Sequence, residues 1–274
     1  MCVDAQDVTR TLKQEVERKC AQLDIPMVGV ASADAWDEPP FQPWIPEDFR
    51  PRAIYPEVEN VIVIGLPVSL PILETSPSIY YHLLYQNVNA LLDQYAYRLS
   101  VFLSERGHAS IYVPRDGYGT ISLLKDKPLV FFSHRHAAYL AGLGTFGVNN
   151  TLLTKRYGPR VRFASVFTTA ELPADRPMEG QLCTRCMRCA RMCPVNAIPE
   201  KDYPEGIIEK KACATRAEQL YSRFLSPCGI CIKVCPVGED RKLYRRQDVK
   251  MYEDRGRYPQ HHRAWEHVRS YGSR

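Results

Sequence analysis

Eight of the ten cysteines in this chain lie between Cys183 and Cys235, and their spacing constrains the fold more than any other feature. Cys183, Cys186, Cys189 and Cys193 are spaced C-x2-C-x2-C-x3-C, with Pro194 behind them. Cys213 stands alone. Cys228, Cys231 and Cys235 form C-x2-C-x3-C, followed by Pro236. Two or three intervening residues let a chain curl until successive thiolates face one centre. A cubane [4Fe-4S] cluster needs four thiolates at the corners of a tetrahedron, three from one tight loop and one from a remote segment. A chain built this way is tied together at distant points of its sequence. A proline after the last cysteine of each run fixes φ and turns the chain away from the centre.

The pattern resembles that of two-cluster bacterial ferredoxins, in which the fourth cysteine of each run ligates the other cluster. That resemblance implies one cluster on Cys183, Cys186, Cys189 and Cys235, and a second on Cys193, Cys213, Cys228 and Cys231. The second run has Leu225 where its first cysteine would stand, so Cys213 must reach in from upstream. Eight cysteines then fill eight places. A disulfide framework suits small secreted chains, and zinc ribbons pair C-x2-C motifs without two C-x3-C-P endings. Cys2 and Cys20 lie far from the runs and read as ordinary thiols.

With 274 residues, 45% of them hydrophobic and 24% charged, the chain has material for a sizeable core and a small second module. No apolar stretch reaches the length of a membrane span. The N-terminus shows neither a signal core nor a twin-arginine motif, and abundant thiolate ligands suit a reducing compartment, so the expected location is the cytoplasm. The net charge of +5 is concentrated at one end: residues 241–274 hold ten Arg or Lys against four Asp or Glu.

In chain order, Leu12, Val16 and Cys20 continue a four-residue repeat from Val8, predicting a helix over 4–23 capped by Asp4 or Asp7. Residues 27–31 read as a strand, and the Pro- and Trp-rich stretch 36–56 as a long loop. The run VIVIGL, 61–66, predicts a fully buried strand. The spacing of Leu84, Val88, Leu91, Tyr95, Leu99 and Phe102 predicts a helix over 78–106 that stops at Gly107. A strand follows at 111–113. From Ser133 a short helix should break at Gly142, Gly144 and Gly147, and 161–167 should form a strand. The three glycines match GxGxxG, but a dinucleotide fingerprint needs a strand before them and a helix after. Here a helix precedes them. The polar stretch 171–180 marks a boundary before the cysteine module. The expected divisions are 1–175, 176–240 and a basic tail over 241–274. The tail carries Tyr244, Tyr252, Tyr258, Trp265 and Tyr271. Such a mixture can stack and pair with nucleic acid, but without a nucleic-acid-binding fold it reads better as a helix and tail packed over the clusters or against a partner subunit.

Four stretches together resemble the epoxyqueuosine reductase and reductive dehalogenase superfamily: PRAIYPEVENVIVIGLP, AGLGTFGVNNTLL, YGPRVRFASVFTTAELP and the two cysteine runs in the same order. The resemblance implies an α+β protein, with a nitroreductase-like or cobalamin-processing-like α/β domain followed by a ferredoxin-like module with two [4Fe-4S] clusters. In that family, cobalamin lies in the α/β domain and electrons pass through the clusters to low-valent cobalt, which acts on an epoxide or a carbon–halogen bond. Carried onto this chain, Arg52, Gly142, Gly144, Asn149, Asn150, Arg160 and Arg162 are cofactor-binding candidates. Epoxyqueuosine reductases carry D-x-x-P-x-x-E-R before the glycines. His134-Arg135 stands where E-R would be, and Asp126 is the nearest aspartate. His134 and Asp126 are therefore the catalytic candidates, with His136, Tyr80, Tyr81 and Tyr118 as further proton donors. Val148 replaces the lysine of the family's G-K-N. The helical repeats that help epoxyqueuosine reductases grip tRNA have no counterpart after Val237.

The expected function is an iron–sulfur reductase that passes electrons to a cofactor, cobalamin among the options, or to a substrate in the N-terminal domain. The alternative is a carrier or reductive activator that donates to a partner protein without cobalamin. The substrate class stays open between a small molecule and a modified nucleoside. Ferredoxin or flavodoxin is the expected electron donor, and tRNA is a less favoured partner.

Overall fold

The computed structural model describes residues 5–37, 45–117 and 119–271. Helix α1 (Ala5–Gln22) leads into strand β1 (Met27–Ser32) and a short 3-10 turn over Ala33–Trp36. The stretch read as one long loop holds a second 3-10 turn and helix α2 (Pro51–Ile54); residues 38–44 lie outside the described set. Strand β2 (Asn60–Pro67) is followed by α3 (Leu70–Leu73), the 26-residue α4 (Ile79–Ser104) and β3 (Ser110–Val113). Then come α5 (Leu123–Asp126), α6 (His134–Leu140), the two short strands β4 (Thr145–Phe146) and β5 (Leu152–Leu153), and β6 (Val161–Thr168). The cysteine module contributes α7 (Arg188–Arg191), α8 (Lys210–Tyr221) and α9 (Ile230–Lys233). The chain closes with α10 (Glu239–Leu243) and α11 (Pro259–Ser270).

Four strands form one antiparallel sheet in the order β1-β2-β6-β3. The β-branched run of β2 is central, and each residue from Asn60 to Leu66 is buried. Alternation along a strand sends successive side chains to opposite faces. Val61 and Val63 therefore join Trp36, Phe132, Ala137, Ala138 and Phe167 on one face. Ile62 and Ile64 join Val16, Val88, Leu92, Leu99 and Val166 on the other. Helices α1 and α4 cover the second face, while α6 and the β4–β5 hairpin cover the first.

Local signals set the ends of these elements. Ser78 Oγ accepts the Tyr81 amide at 3.1 Å and caps α4, and Gly107 at φ +86° lets the chain leave that helix. Gly142 at φ +70° ends α6, and a Cβ there would sit 2.4 Å from the Arg176 carbonyl oxygen. A Cβ on Gly144 would sit 2.1 Å from the Leu153 carbonyl oxygen. These glycines allow backbone to pack on backbone; a helix precedes them and a hairpin follows. Cys20 is buried in the α1–α4 core, and burial, with Glu17 adding to it, pushes its thiol up to about 12. It is an inert core residue.

The basic C-terminal stretch folds back onto the body. The Trp265 indole on α11 donates to the Thr75 carbonyl at 2.7 Å. Arg160, fully buried just before β6, makes a two-pronged ion pair with Asp240 on α10, at 2.7 and 2.6 Å. It also donates to the Val237 and Cys235 carbonyls. Arg241 reaches Glu74, the Lys233 and Cys235 carbonyls, and the Arg246 carbonyl. Glu74, Lys233 and Arg241 are each at most 2% exposed, so this ionic network lies inside the molecule.

Removing one partner of a buried ion pair leaves an uncompensated charge and costs about 3–5 kcal/mol. Asp240→Ala should lower stability by about that amount, seen as an earlier thermal transition in cluster-loaded protein, whereas exposed Asp126→Ala should change it little.

Candidate active site beside the cysteine loops

The cysteine loops curve because several residues adopt left-handed backbone. Arg185 and Met187 (φ 50° and 54°) do so in the first run, and Gly229 (φ 71°) in the second. Such turns line up backbone N–H groups into concavities that favour anionic centres, iron–sulfur clusters among them. The Ala197 amide already points at Cys193 Sγ, 3.3 Å away.

The fold brings the eight thiols into two neighbourhoods. Burial raises the Cys235 thiol to about 11, with Cys183 and Cys186 adding to the effect. The same two residues act on Cys189, after burial. Cys213 is raised by burial and then by Cys228 and Cys193. Cys231, the most deeply buried, feels Cys213, Cys228, Cys189 and Cys193 after burial. These influences sort the thiols into a first set, Cys183, Cys186, Cys189 and Cys235, and a second, Cys193, Cys213, Cys228 and Cys231, although among the described residues no three of them are gathered closely enough to hold a metal ion. Cys189 and Cys231 are the point where the two sets approach. Metal binding would have to displace the protons that burial and mutual repulsion keep on these thiols.

Two cavities adjoin the second set. The inner one, of about 350 Å³, is walled by Cys231, Gly229, Tyr81, Phe132 and Phe163, and Arg115, Arg135 and Arg162 also line it. The outer one, of about 320 Å³, is walled by Cys213, Phe49, Leu129 and Ile208, with Arg135, His136, Tyr203 and Lys210 on its polar side. Val130, Ser133 and Arg135 line both.

The residues singled out from sequence scatter. Arg162 lines the inner cavity, bonded to Asn89 Oδ1 at 3.0 Å and to Asp116. Arg160 does not face either cavity, because Asp240 and two carbonyls hold it in the interior. Arg52 lies at the protein surface and pairs with Asp34 and Glu59. Asn149 donates to the Cys231 carbonyl at 3.3 Å and accepts from Thr151. Asn150, left-handed at φ 54°, bonds the Gly206 carbonyl and the Ile208 amide and lines the outer cavity. Both asparagines bind the cysteine module to the sheet domain. Gly142 and Gly144 serve packing, as described above.

The two catalytic candidates also separate. Asp126 is exposed and absent from both cavity walls. His134 lines the inner cavity but spends both nitrogens on structure: Nδ1 on Ser165 Oγ at 2.9 Å and Nε2 on the Pro114 carbonyl at 3.0 Å. Burial pulls its pKa down to about 4, so it is neutral near pH 7. His136 bridges Ser133 Oγ (2.6 Å) and the Tyr203 hydroxyl (2.7 Å), and burial, then Arg135 and Lys210, pull it down to about 3. Tyr80 is half exposed, and Tyr118 lies outside the described residues. Tyr81 is buried against Gly229 and faces the inner cavity. The sequence reading gave no reason to single out Arg115, Tyr203 or Lys210. They come from three separate segments, and only the fold assembles them.

The chain resembles known proteins in sequence and in fold. Residues 181–198 match the 4Fe-4S binding domain family. The tetrachloroethene reductive dehalogenase of Dehalobacter restrictus is 27% identical over 194 residues, covering 65% of this chain and 32% of that protein. An epoxyqueuosine reductase of Synechococcus sp. is 33% identical over 105 residues, covering 35% of this chain and 31% of that protein. The chain is thus similar in sequence to both reductive dehalogenases and epoxyqueuosine reductases.

Solved structures of both groups share the fold. A reductive dehalogenase whose structure suggests a mechanism for B12-dependent dehalogenation superposes with a TM-score of 0.63 at 19% identity, over 98% of this chain and 38% of that one. An epoxyqueuosine reductase bound to a tRNA-Tyr stem loop superposes with a TM-score of 0.57 at 18% identity, over 82% and 65%. The chain spans about a third of the length of the curated superfamily members it matches. Among the described residues, no helix is long and apolar enough to cross a membrane.

The buried histidines make stability depend on pH. Both imidazoles titrate near 6.5 when unfolded and lower when folded, so below about pH 6.5 the unfolded chain binds more protons. Their contribution is complete above that pH and falls as the pH drops toward 4. Unfolding measured between pH 7.5 and 5.5 should show this loss, and His136→Gln should flatten part of it.

Proposed function

We propose that this chain is an iron–sulfur reductase whose two [4Fe-4S] clusters pass electrons inward to an acceptor in the inner cavity. The observation that carries the reading is the position of Cys231. It belongs to the second thiol set, approaches Cys189 of the first, and forms part of the cavity wall. An electron arriving at the first set, with Cys183 and Cys186, then has a short route through the second set to whatever fills the cavity. The donor would be a ferredoxin or flavodoxin.

The chemistry of the wall suits a bound acceptor with polar edges and an apolar face. Arg115 lines the cavity, paired with Asp93 and, through its Nε, lying 3.5 Å from Asp116 Oδ2. Arg162 and Arg135 supply further cations, and Phe132, Val161 and Phe163 supply apolar surface. Cobalamin is the candidate cofactor for this position, because a structural neighbour is described in terms of B12-dependent dehalogenation; at about 350 Å³ the cavity would enclose only part of it. Arg115, Arg135 and Arg162 would hold its polar groups. When bound, it would supply a metal centre able to deliver reducing equivalents to an organic substrate.

Reduction of an organic substrate also consumes protons, and Tyr81 is the best-placed donor among the described tyrosines. Burial, the largest influence on it, holds its phenol far above the ordinary value, so it stays protonated. Its neighbours Cys228 and Cys231 add to that effect. The substrate stays undefined between a small molecule and a modified nucleoside.

Two measurements test this reading. Anaerobically reconstituted protein should carry about eight irons, the number two [4Fe-4S] clusters hold. Cys183→Ala and Cys213→Ala should each damage a different one of two resolvable cluster signals; unchanged iron and spectra in Cys213→Ala would remove it from the ligand set. Titration of iron-replete protein with cobalamin should shift the visible spectrum at micromolar cofactor. No shift would exclude the corrinoid and leave an iron–sulfur electron carrier.

A further inference from the structure

The carbonyl of Cys235, the last cysteine of the second run, is held by two buried cations. Arg160 Nη1 donates to it at 3.3 Å and Arg241 Nε at 2.8 Å. Arg160 has a carboxylate of its own, because both oxygens of Asp240 accept from it. Arg241 has to share. Its Nη1 stands 3.4 Å from one oxygen of Glu74, while Arg246 holds the other at 2.9 Å. The remaining bonds of Arg241 go to the carbonyls of Lys233 and Arg246. Lys233, on the short helix between Cys231 and Cys235, adds a third buried cation, which bonds the Ser76 carbonyl and pairs with Glu253 at 2.8 Å.

Among the described residues of this network, cations outnumber anions. Arg160, Lys233 and Arg241 are buried against only two buried carboxylates, Asp240 and Glu74. Arg246 and Glu253, both partly exposed at the rim, offset one another. One positive charge is therefore left over inside the protein, beside the backbone of Cys235. Neutral carbonyls lower the cost of burying a guanidinium, but they do not cancel its charge. Burial raises the Cys235 thiol, and the Val237 amide and then Arg160 work against that rise. An anionic, thiolate-bound iron–sulfur centre matches the surplus, and nearby charge is one of the things that fix the reduction potential of such a centre.

We infer that Arg241 sets the reduction potential of the cluster assigned to Cys183, Cys186, Cys189 and Cys235, by holding surplus positive charge behind Cys235. The inference rests on the cluster assignment proposed above. Reduction brings one electron from the ferredoxin or flavodoxin and no proton, so the centre gains one negative charge. A fixed cation favours that more negative form, and solvent screens a buried cation little. Arg241 acts at a distance, across the Cys235 carbonyl. Glu74 limits the effect, because its carboxylate draws on the same guanidinium.

The test is a potentiometric titration of reconstituted protein with titanium(III) citrate, with each cluster followed by its electron paramagnetic resonance signal. The signal lost in Cys183→Ala identifies the first cluster. Arg241→Gln keeps hydrogen-bond donors and removes the charge. At a fixed applied potential it should lower the reduced-to-oxidised ratio of that cluster about tenfold, which is about 59 mV for one electron. Glu74→Gln should move the ratio the opposite way, and Arg241→Lys should hold it within about twofold of the unaltered protein. Opposed shifts are the signature of charge, since loosened packing would move both variants alike. An unchanged ratio in iron-replete Arg241→Gln would overturn the inference. So would shifts of the same sign in Arg241→Gln and Glu74→Gln, or, where Arg241→Gln takes up no iron, an unchanged ratio in Glu74→Gln. Unaltered protein holding well under about eight irons would instead sink the cluster assignment, and the inference with it.

Discussion

The architecture depends on a guanidinium that has no contact with solvent. Arg160 immediately precedes the central strand β6, and its side chain ends against the chain segment that follows the last cysteine, paired with Asp240 and bonded to the carbonyls of Cys235 and Val237. A buried arginine is tolerable only when its donors are met. Here the partners come from 75 to 80 residues further along the chain. The strand therefore holds the end of the cysteine module against the sheet. Close backbone approach makes this possible: a Cβ on Gly158 would sit 2.0 Å from the Val237 carbonyl oxygen, and one on Gly238 would strike Arg160 itself. Arg241 repeats the device one residue after Asp240, bonding the same Cys235 carbonyl and reaching Glu74.

A sheet buried on both faces makes such anchoring effective. Helices α1 and α4 close one side, and α6 with the β4–β5 hairpin closes the other. The hairpin then carries the cysteine module: Val148 packs with Ala190 and Ile198, and Asn149 and Asn150 bond across to Cys231, Gly206 and Ile208. The C-terminal helix packs on the same body through Trp265. Much of the basic charge of this end is consumed internally, with Arg241 and Arg246 on Glu74 and Arg257 on Asp248.

The cavities are a by-product of this assembly. They open where three segments distant in sequence meet: the stretch before α6, the start of α8, and the Cys228–Cys231 loop. Arg135 divides them, and its position follows from the short helix that begins at His134. The adjacent histidines do not act as acids there, because burial makes the neutral imidazole the stable form and each ring is spent on hydrogen bonds. The chemistry of the site thus rests on guanidinium, phenol and thiolate groups.

Much of this protein could be read in its sequence. The cysteine spacing required tightly curled loops, the VIVIGL run required a buried strand, and Ser78 and Gly107 bracketed the long helix. These are local signals, set by backbone reach, β-branching and cap chemistry. The four stretches shared with the superfamily were also legible as sequence. What tertiary structure alone decided was the fate of individual polar residues. Arg160 and Arg162 are two apart in sequence and looked equivalent, yet one is sealed inside an ion pair and the other lines a cavity. Asp126 lay near the right place in sequence and proved exposed. Lys210 and Arg135 had no sequence relation and now face one cavity. Burial and pairing are properties of where distant segments meet, and no local pattern encodes them.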